Sequence, residues 1–182
     1  MTKIIIVDGV DCSGKSTLIE RISKDKRFRN SLLIKNNFRP SDESTIPKVK
    51  DNYEGIKSLI ESVPSYEYVI IDRFYMSEMV YGKLRGYEPF DDDWYRTFED
   101  SLMNATNVEQ ILFIHMCPSI NTIYGRFDKR GDEHINREQI EDLWSRYIRF
   151  VTKFSKLPYM IMADNGETEI ELIRNFLQRE EE

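Results

Sequence analysis

Along the chain, short runs of aliphatic and β-branched residues alternate with longer stretches whose apolar positions recur every three or four residues. The first rhythm predicts strands buried on both faces and the second predicts helices covering them. The runs Lys3 to Val7, Leu32 to Asn36, Tyr68 to Asp72, Gln110 to Met116 and Tyr159 to Ala163 read as five strands. Helical spacing falls between and after them, over Lys15 to Asp25, Tyr53 to Val63, Phe74 to Lys83, Trp94 to Thr106, Ser119 to Phe127, Arg137 to Ser155 and Glu167 to Arg179. Strands separated throughout by helical stretches specify an α/β fold with a parallel sheet and helices on both sides. No internal repeat or linker-like stretch interrupts the pattern, so residues 1–182 read as a single domain. Arg39 to Lys50, with two prolines, and Lys129 to Asn136 read as mobile loops.

Between the first strand and the first helix stands Gly9-Val10-Asp11-Cys12-Ser13-Gly14-Lys15-Ser16, which has the G-x-x-x-x-G-K-[ST] spacing of a phosphate-binding loop. Glycines let the backbone turn so that successive N–H groups converge, and the helix start adds its positive end. The pattern predicts a cradle for the phosphates of ATP, built from Gly9, Asp11, Cys12, Ser13, Gly14, Lys15, Ser16 and Thr17. Lys15, expected to stand exposed at the helix start, would reach the β and γ oxygens, and the Ser16 hydroxyl would hold Mg2+.

Composition narrows the partners. With 32 acidic and 26 basic residues the formal charge is -6, so no bulk attraction to nucleic acid or an anionic membrane is expected, and any anion site must be local. No apolar run is long enough to span a bilayer and the first residues lead directly into a strand, from which a cytoplasmic protein is expected. Two cysteines, Cys12 and Cys117, form neither a metal-ligand spacing nor a disulfide framework. Cys12, inside an anion cradle, is expected to have a lowered thiol pKa. His115 and His134 lack a second ligand nearby for a metal site.

Asp72 and Arg73 close the third strand. In open α/β sheets ligands bind outside the carboxyl ends of the strands, the edge that also carries the phosphate loop. Asp72 there can support the Mg2+ shell or take a proton from an attacking hydroxyl, and Arg73 can fork onto a second phosphate.

With these residues placed, the chain resembles thymidylate kinases and the wider group of P-loop nucleoside and nucleotide kinases. Asp8 to Thr17 is similar to that family's EG-x-D-x-x-GKST loop, with aspartate in the first acidic place. Asp72-Arg73-Phe74, Ser77 and Tyr81 follow its DRY/H-x-x-S-x-x-x-Y/F segment. Phe38-Arg39-Pro40 stands where its R-E-P segment would, Arg126 and Arg130 match a lid motif, and Arg146-Tyr147 matches a later R-Y pair. The resemblance implies a P-loop kinase fold with an arginine-bearing lid at about 126–137 and acceptor-binding regions at about 38–64 and 73–100. It further implies that Asp11 lies near the acceptor's sugar, that Arg73 with Arg39 and Phe38 holds its 5′-phosphate, and that Arg126 and Arg130 clamp the phosphates of ATP. Tyr53, Phe74, Tyr75 and Tyr81 are the rings that could stack a base. The family's base-reading segment is shortened here, and only Asn52-Tyr53-Glu54 resembles it.

The expected reaction is in-line transfer of the γ-phosphoryl group to a nucleoside monophosphate, dTMP or a related pyrimidine deoxynucleotide, with Lys15, Asp72, Arg126 and Arg130 as the catalytic set. A deoxynucleoside kinase acting on a 5′-hydroxyl and, more remotely, a P-loop NTPase switch remain as alternatives. The family's dimers leave homodimerisation as an expectation.

Overall fold

The computed structural model describes residues 1–36, 46–62, 65–87, 90–130, 135–163 and 166–178. Among these, strands β1 (Thr2–Asp8), β2 (Ser31–Lys35), β3 (Tyr68–Asp72), β4 (Val108–Met116) and β5 (Tyr159–Met162) form one sheet in the order β2-β3-β1-β4-β5, and every neighbouring pair is parallel. The helices are α1 (Lys15–Lys24), α2 (Ile46–Ser62), α3 (Tyr75–Leu84), α4 (Asp92–Met103), α5 (Ile120–Arg130), α6 (Arg137–Lys153) and α7 (Glu167–Gln178). The α/β class and the five-stranded parallel sheet agree with the hydrophobic pattern. A short 3-10 turn at Lys26–Phe28, capped by the Asp25 side chain, was not anticipated.

Alternation along β1 splits the core in two, because successive side chains point to opposite faces. Ile4 and Ile6 join Val69, Ile71, Ile111 and Phe113 beneath α2, α3, α4 and α6. Ile5 and Val7 join Ile70, Leu112 and Ile114 beneath α1 and α7. A third cluster, including Val10, Tyr81, Ile123, Ile140 and Tyr147, packs α3, α5 and α6 beside the phosphate loop.

One boundary differs substantially from the sequence reading. The segment from Arg39 to Lys50 reads as a loop because of its prolines, but α2 already begins at Ile46. Pro47 lies in the first turn, where its missing N–H would have had no intrahelical partner and its fixed φ suits the helix. The rest of that segment, and Phe38 and Arg39 with it, lies outside the described residues. Of the second expected loop, Lys129 and Arg130 are the last residues of α5, and Asn136 caps α6 reciprocally with Gln139.

Two features at the carboxyl edge of the sheet have measurable consequences. Gly9 has φ 150, and a Cβ there would lie 2.5 Å from the Met116 carbonyl oxygen at the end of β4. Gly9→Ala is therefore expected to cost about 2 kcal/mol or more in urea unfolding. Gly86→Ala, also at positive φ but facing open space, should cost only about 1 kcal/mol.

His115, opposite Asp8 in the β1–β4 register and stacked on Tyr147, is fully buried, and burial pushes its pKa down to about 4. The unfolded chain takes up a proton near the ordinary pKa of about 6.5, whereas the folded one resists until about 4. This stability contribution is complete above about 6.5 and falls as pH drops toward 4. His115→Phe should reduce the difference in unfolding free energy between about pH 7 and pH 5 by about 2 kcal/mol, read by urea titration at both values.

Candidate active site

The phosphate loop opens where the buried strand β1 ends. Gly9 at φ 150, Cys12 at φ 63 and Gly14 at φ 101 make the backbone turn repeatedly before α1 starts at Lys15. Glycine supplies two of these conformations without strain, and Cys12 accepts the third at a cost of roughly 1 to 2 kcal/mol. Gly14 brings no side-chain cap, so the first-turn N–H groups of α1 face the loop as donors for an anion.

Lys15 is buried, contrary to the expected exposure. Its Nζ donates to the carbonyls of Gly9 at 2.8 Å and Val10 at 2.7 Å, so the loop curls around the ammonium. Burial, assisted by nearby Arg73, pulls its pKa down to about 8, against the opposing pull of Asp11, Asp8 and Asp72. A bound polyphosphate would favour the charged form.

Next to the loop, β3 ends in Asp72, and Arg73 follows it. Arg73 has φ 65, rare for a non-glycine residue, and its N–H donates to the Val7 carbonyl at 3.1 Å. Its guanidinium forms an ion pair with Asp11 and lies 5.4 Å from the centre of the Tyr81 ring. The Tyr81 hydroxyl donates to Asp11 Oδ2 at 2.9 Å and accepts from the Asp11 N–H at 3.2 Å. Asp11, Arg73 and Tyr81, widely separated in sequence, are thus held as one unit. The Asp72 carboxyl is half-buried, and burial raises its pKa despite Lys15 and Arg73.

From the other side, α5 delivers Arg126 and Arg130. Arg126 donates to the carbonyls of Cys12 at 3.3 Å and Ser13 at 3.1 Å. It lines, with Arg130, a cleft of about 480 Å³ whose other walls are Asp11, Cys12, Gly14 to Thr17, Asp72 and Arg73. Four cationic side chains from three parts of the chain therefore converge on one space.

Several expected contacts fall elsewhere. Cys12 has a raised thiol pKa, because burial outweighs the Arg130 and Lys15 charges that were expected to lower it. Tyr53 and Phe74 are completely buried and pack edge to face at 5.5 Å, while Tyr75 donates to buried Glu99. Their rings belong to the core, where each buries more apolar area than a place on the cleft would allow. The Ser77 hydroxyl, part of the DRY-like segment, donates to Asp8 at 2.9 Å. The chemistry of Asp8 itself was missed. A lone carboxylate at the end of an apolar strand signals a need for donors, but spacing does not say which residues supply them.

Ser16 and Asp72 suit Mg2+, being hard oxygen donors on the same cleft. Among the described residues no group of three or more His, Cys, Asp or Glu side chains is placed to hold a metal, and Mg2+ coordinated mainly by phosphates and water needs none. No described helix is long and apolar enough to cross a membrane.

No protein-family model matches the chain. The SPbeta prophage-derived uncharacterized protein YorR of Bacillus subtilis (strain 168) is 29% identical over 145 residues, 79% of each chain. The crystal structure of YorR in complex with phosphorylated GDP is similar with a TM-score of 0.67 and 23% identity, covering 98% of both chains. Thymidylate kinase from Candida albicans aligns with a TM-score of 0.60 and 16% identity over 98% of this chain and 92% of that one. Deoxyadenosine kinase from M. mycoides with bound dATP aligns with 0.56 and 23%, over 96% and 98%. The fold of this chain is that of the P-loop kinases, of the thymidylate kinase-like type.

Proposed function

We propose that the protein transfers the γ-phosphoryl group of ATP to a (deoxy)nucleoside monophosphate, with dTMP or a related pyrimidine deoxynucleotide as the acceptor that the loop and the DRY-like segment favour. The observation that carries this reading is the division of positive charge within one cleft. Lys15 and Arg126 rest on carbonyls of the phosphate loop with Arg130 beside them, while Arg73 is held differently, by the Asp11 carboxylate and the Tyr81 ring. A single triphosphate accounts for the first group, and a second phosphate accounts for Arg73.

In this mechanism the loop N–H groups and Lys15 hold the β- and γ-phosphates, and Lys15, Arg126 and Arg130 spread the charge that develops on the transferring group. Mg2+, held by Ser16 and through water by Asp72, would neutralise further charge. Arg73 fixes the acceptor phosphate so that the attacking oxygen lies in line. Asp11 and Tyr81 are placed to meet the sugar. YorR binds phosphorylated GDP, so guanine nucleotides belong in the acceptor panel beside thymine ones.

The raised pKa of Asp72 favours one second reading. A carboxyl that resists ionisation is a better base for a neutral 5′-hydroxyl than an ordinary aspartate, as a deoxynucleoside kinase requires. The likeness to deoxyadenosine kinase is compatible with it.

Lys15→Met retains the buried aliphatic stem and removes the charge. It should lower kcat by at least about a hundredfold while thermal melting shifts by only a few degrees. Transfer near the wild-type rate would remove the basis for the phosphate-loop assignment.

The acceptor is tested by coupled assay on paired nucleosides and monophosphates of thymine and guanine, with wild type and Arg73→Ala. For a monophosphate the substitution should cost about 2 to 4 kcal/mol in kcat/KM, and Arg73→Lys should restore part of it. For a nucleoside it should matter much less. A wild type that prefers nucleosides, with monophosphate turnover insensitive to Arg73→Ala, would decide for the second reading.

A further inference from the structure

Asp8, the last residue of β1, is fully buried, and its carboxylate collects donors from three separate parts of the chain. On Oδ1 it accepts from the Gly9 N–H and from the Tyr147 hydroxyl, both at 2.8 Å. On Oδ2 it accepts from the Phe74 N–H at 3.3 Å, and the Ser77 hydroxyl lies 2.9 Å from both oxygens. One oxygen thus faces the first peptide of the phosphate loop and the other faces the peptide directly after Arg73.

That second contact bears on one of the two left-handed non-glycine residues at the site, the other being Cys12. Arg73 is left-handed at φ 65, a region that L side chains rarely occupy unless their surroundings determine it. It is held from both sides by the end of β1, since its own N–H donates to the Val7 carbonyl and the next N–H donates to Asp8. We propose that Asp8 is a positioning residue that holds Arg73 at a fixed spacing from the phosphate loop. The proposal rests on the reading of Arg73 as the acceptor-phosphate ligand. In-line transfer tolerates little error, because a displacement of about 1 Å can cost about a hundredfold in rate. A carboxylate shared by the two turns sets their separation more rigidly than independent caps would. Tyr147 also ties α6 to the same oxygen as Gly9 and lies 3.0 Å from the Ser77 hydroxyl, whereas the Phe74 N–H is held by Asp8 Oδ2.

Asp8→Asn separates the two roles. The remaining oxygen stays on the side where two donors, Gly9 and Tyr147, require an acceptor. The amide NH2 then takes the Oδ2 position, where it can donate to Ser77 but opposes the Phe74 N–H. Only the Arg73 turn loses its bond.

The probes are ADP alone and adenosine joined through five phosphates to thymidine, together with its guanosine counterpart, all measured by calorimetry. Asp8→Asn should bind ADP within about threefold of wild type, bind the two-headed probe at least about tenfold more weakly, and show a kcat reduced by about a hundredfold. Tyr147→Phe, which leaves the Phe74 contact in place, should leave the ratio of the two affinities unchanged. Ser77→Ala, which removes a donor shared by both oxygens and so loosens the carboxylate that faces the Phe74 N–H, should shift that ratio in the same sense as Asp8→Asn but by less, and it serves if Asp8→Asn does not fold. Equal weakening of both probes in Asp8→Asn, an equal ratio shift in Tyr147→Phe, or no shift in Ser77→Ala when it is the variant measured, would reduce Asp8 to a general structural group and overturn the proposal. Wild type that binds ADP but neither two-headed probe would overturn the nucleotide-acceptor reading and this proposal with it. Wild-type binding that Asp8→Asn leaves unchanged would overturn this proposal alone.

Discussion

The central strand β1 is the constraint on which the rest of the molecule depends. Ile4 to Val7 are essentially inaccessible to solvent on both faces, and the strand is paired on both edges, with β3 on one side and β4 on the other. A strand so enclosed must have every backbone group satisfied within its ladders, so the registers of β3 and β4 follow from it. The chain leaves β1 at its carboxyl end, where the neighbouring strands end as well. The phosphate loop, Asp72-Arg73 and Met116 therefore assemble at one edge because they lie at the ends of adjacent parallel strands.

Charge is organised there against the average of the molecule. A protein of net charge -6 concentrates Lys15, Arg73, Arg126 and Arg130 around one cleft. They are kept in place by acceptors that do not neutralise all of them. Lys15 and Arg126 rest on loop carbonyls, and Arg73 rests on Asp11. Carbonyl oxygens satisfy donors while leaving the net positive charge intact, which an incoming phosphate can then use. Asp11 is different in that it pairs with its arginine and with Tyr81, so the acceptor side is oriented more than it is charged.

Asp8, Glu78 and Glu99 are buried carboxylates among the described residues, and Asp8 and Glu99 do different work. Glu99 accepts from the Tyr75 hydroxyl at 2.5 Å, the Ser155 hydroxyl at 3.0 Å and the Lys156 N–H at 2.7 Å, joining α3, α4 and the segment after α6. Asp8 joins the two turns of the active edge. In both cases several neutral donors replace water around one carboxylate, which is how such a group is accommodated in a core. The distinction lies in what the donors belong to: helices and their flanks at Glu99, strained functional turns at Asp8.

From the order of residues follow the five strands, most of the helices and the phosphate loop, because strand and helix periodicities and glycine's freedom at Gly9 and Gly14 are local properties. The position of Arg73 just after a strand was legible for the same reason, but its ion pair with Asp11 was not. Packing had to decide the rest. The length of α2 depended on Pro47 falling in a first turn, which spacing alone does not reveal. Whether Tyr53 and Phe74 met a ligand or the core was a matter of which helices closed over them. Lys15 became buried because the loop folds around its ammonium, and the Cys12 thiol was raised because burial exceeds the influence of its cationic neighbours. Above all, the donors of Asp8 come from positions up to 139 residues away, at Tyr147. A hydrogen bond between such distant residues has no local signature, and only the closed sheet and its covering helices bring its partners together.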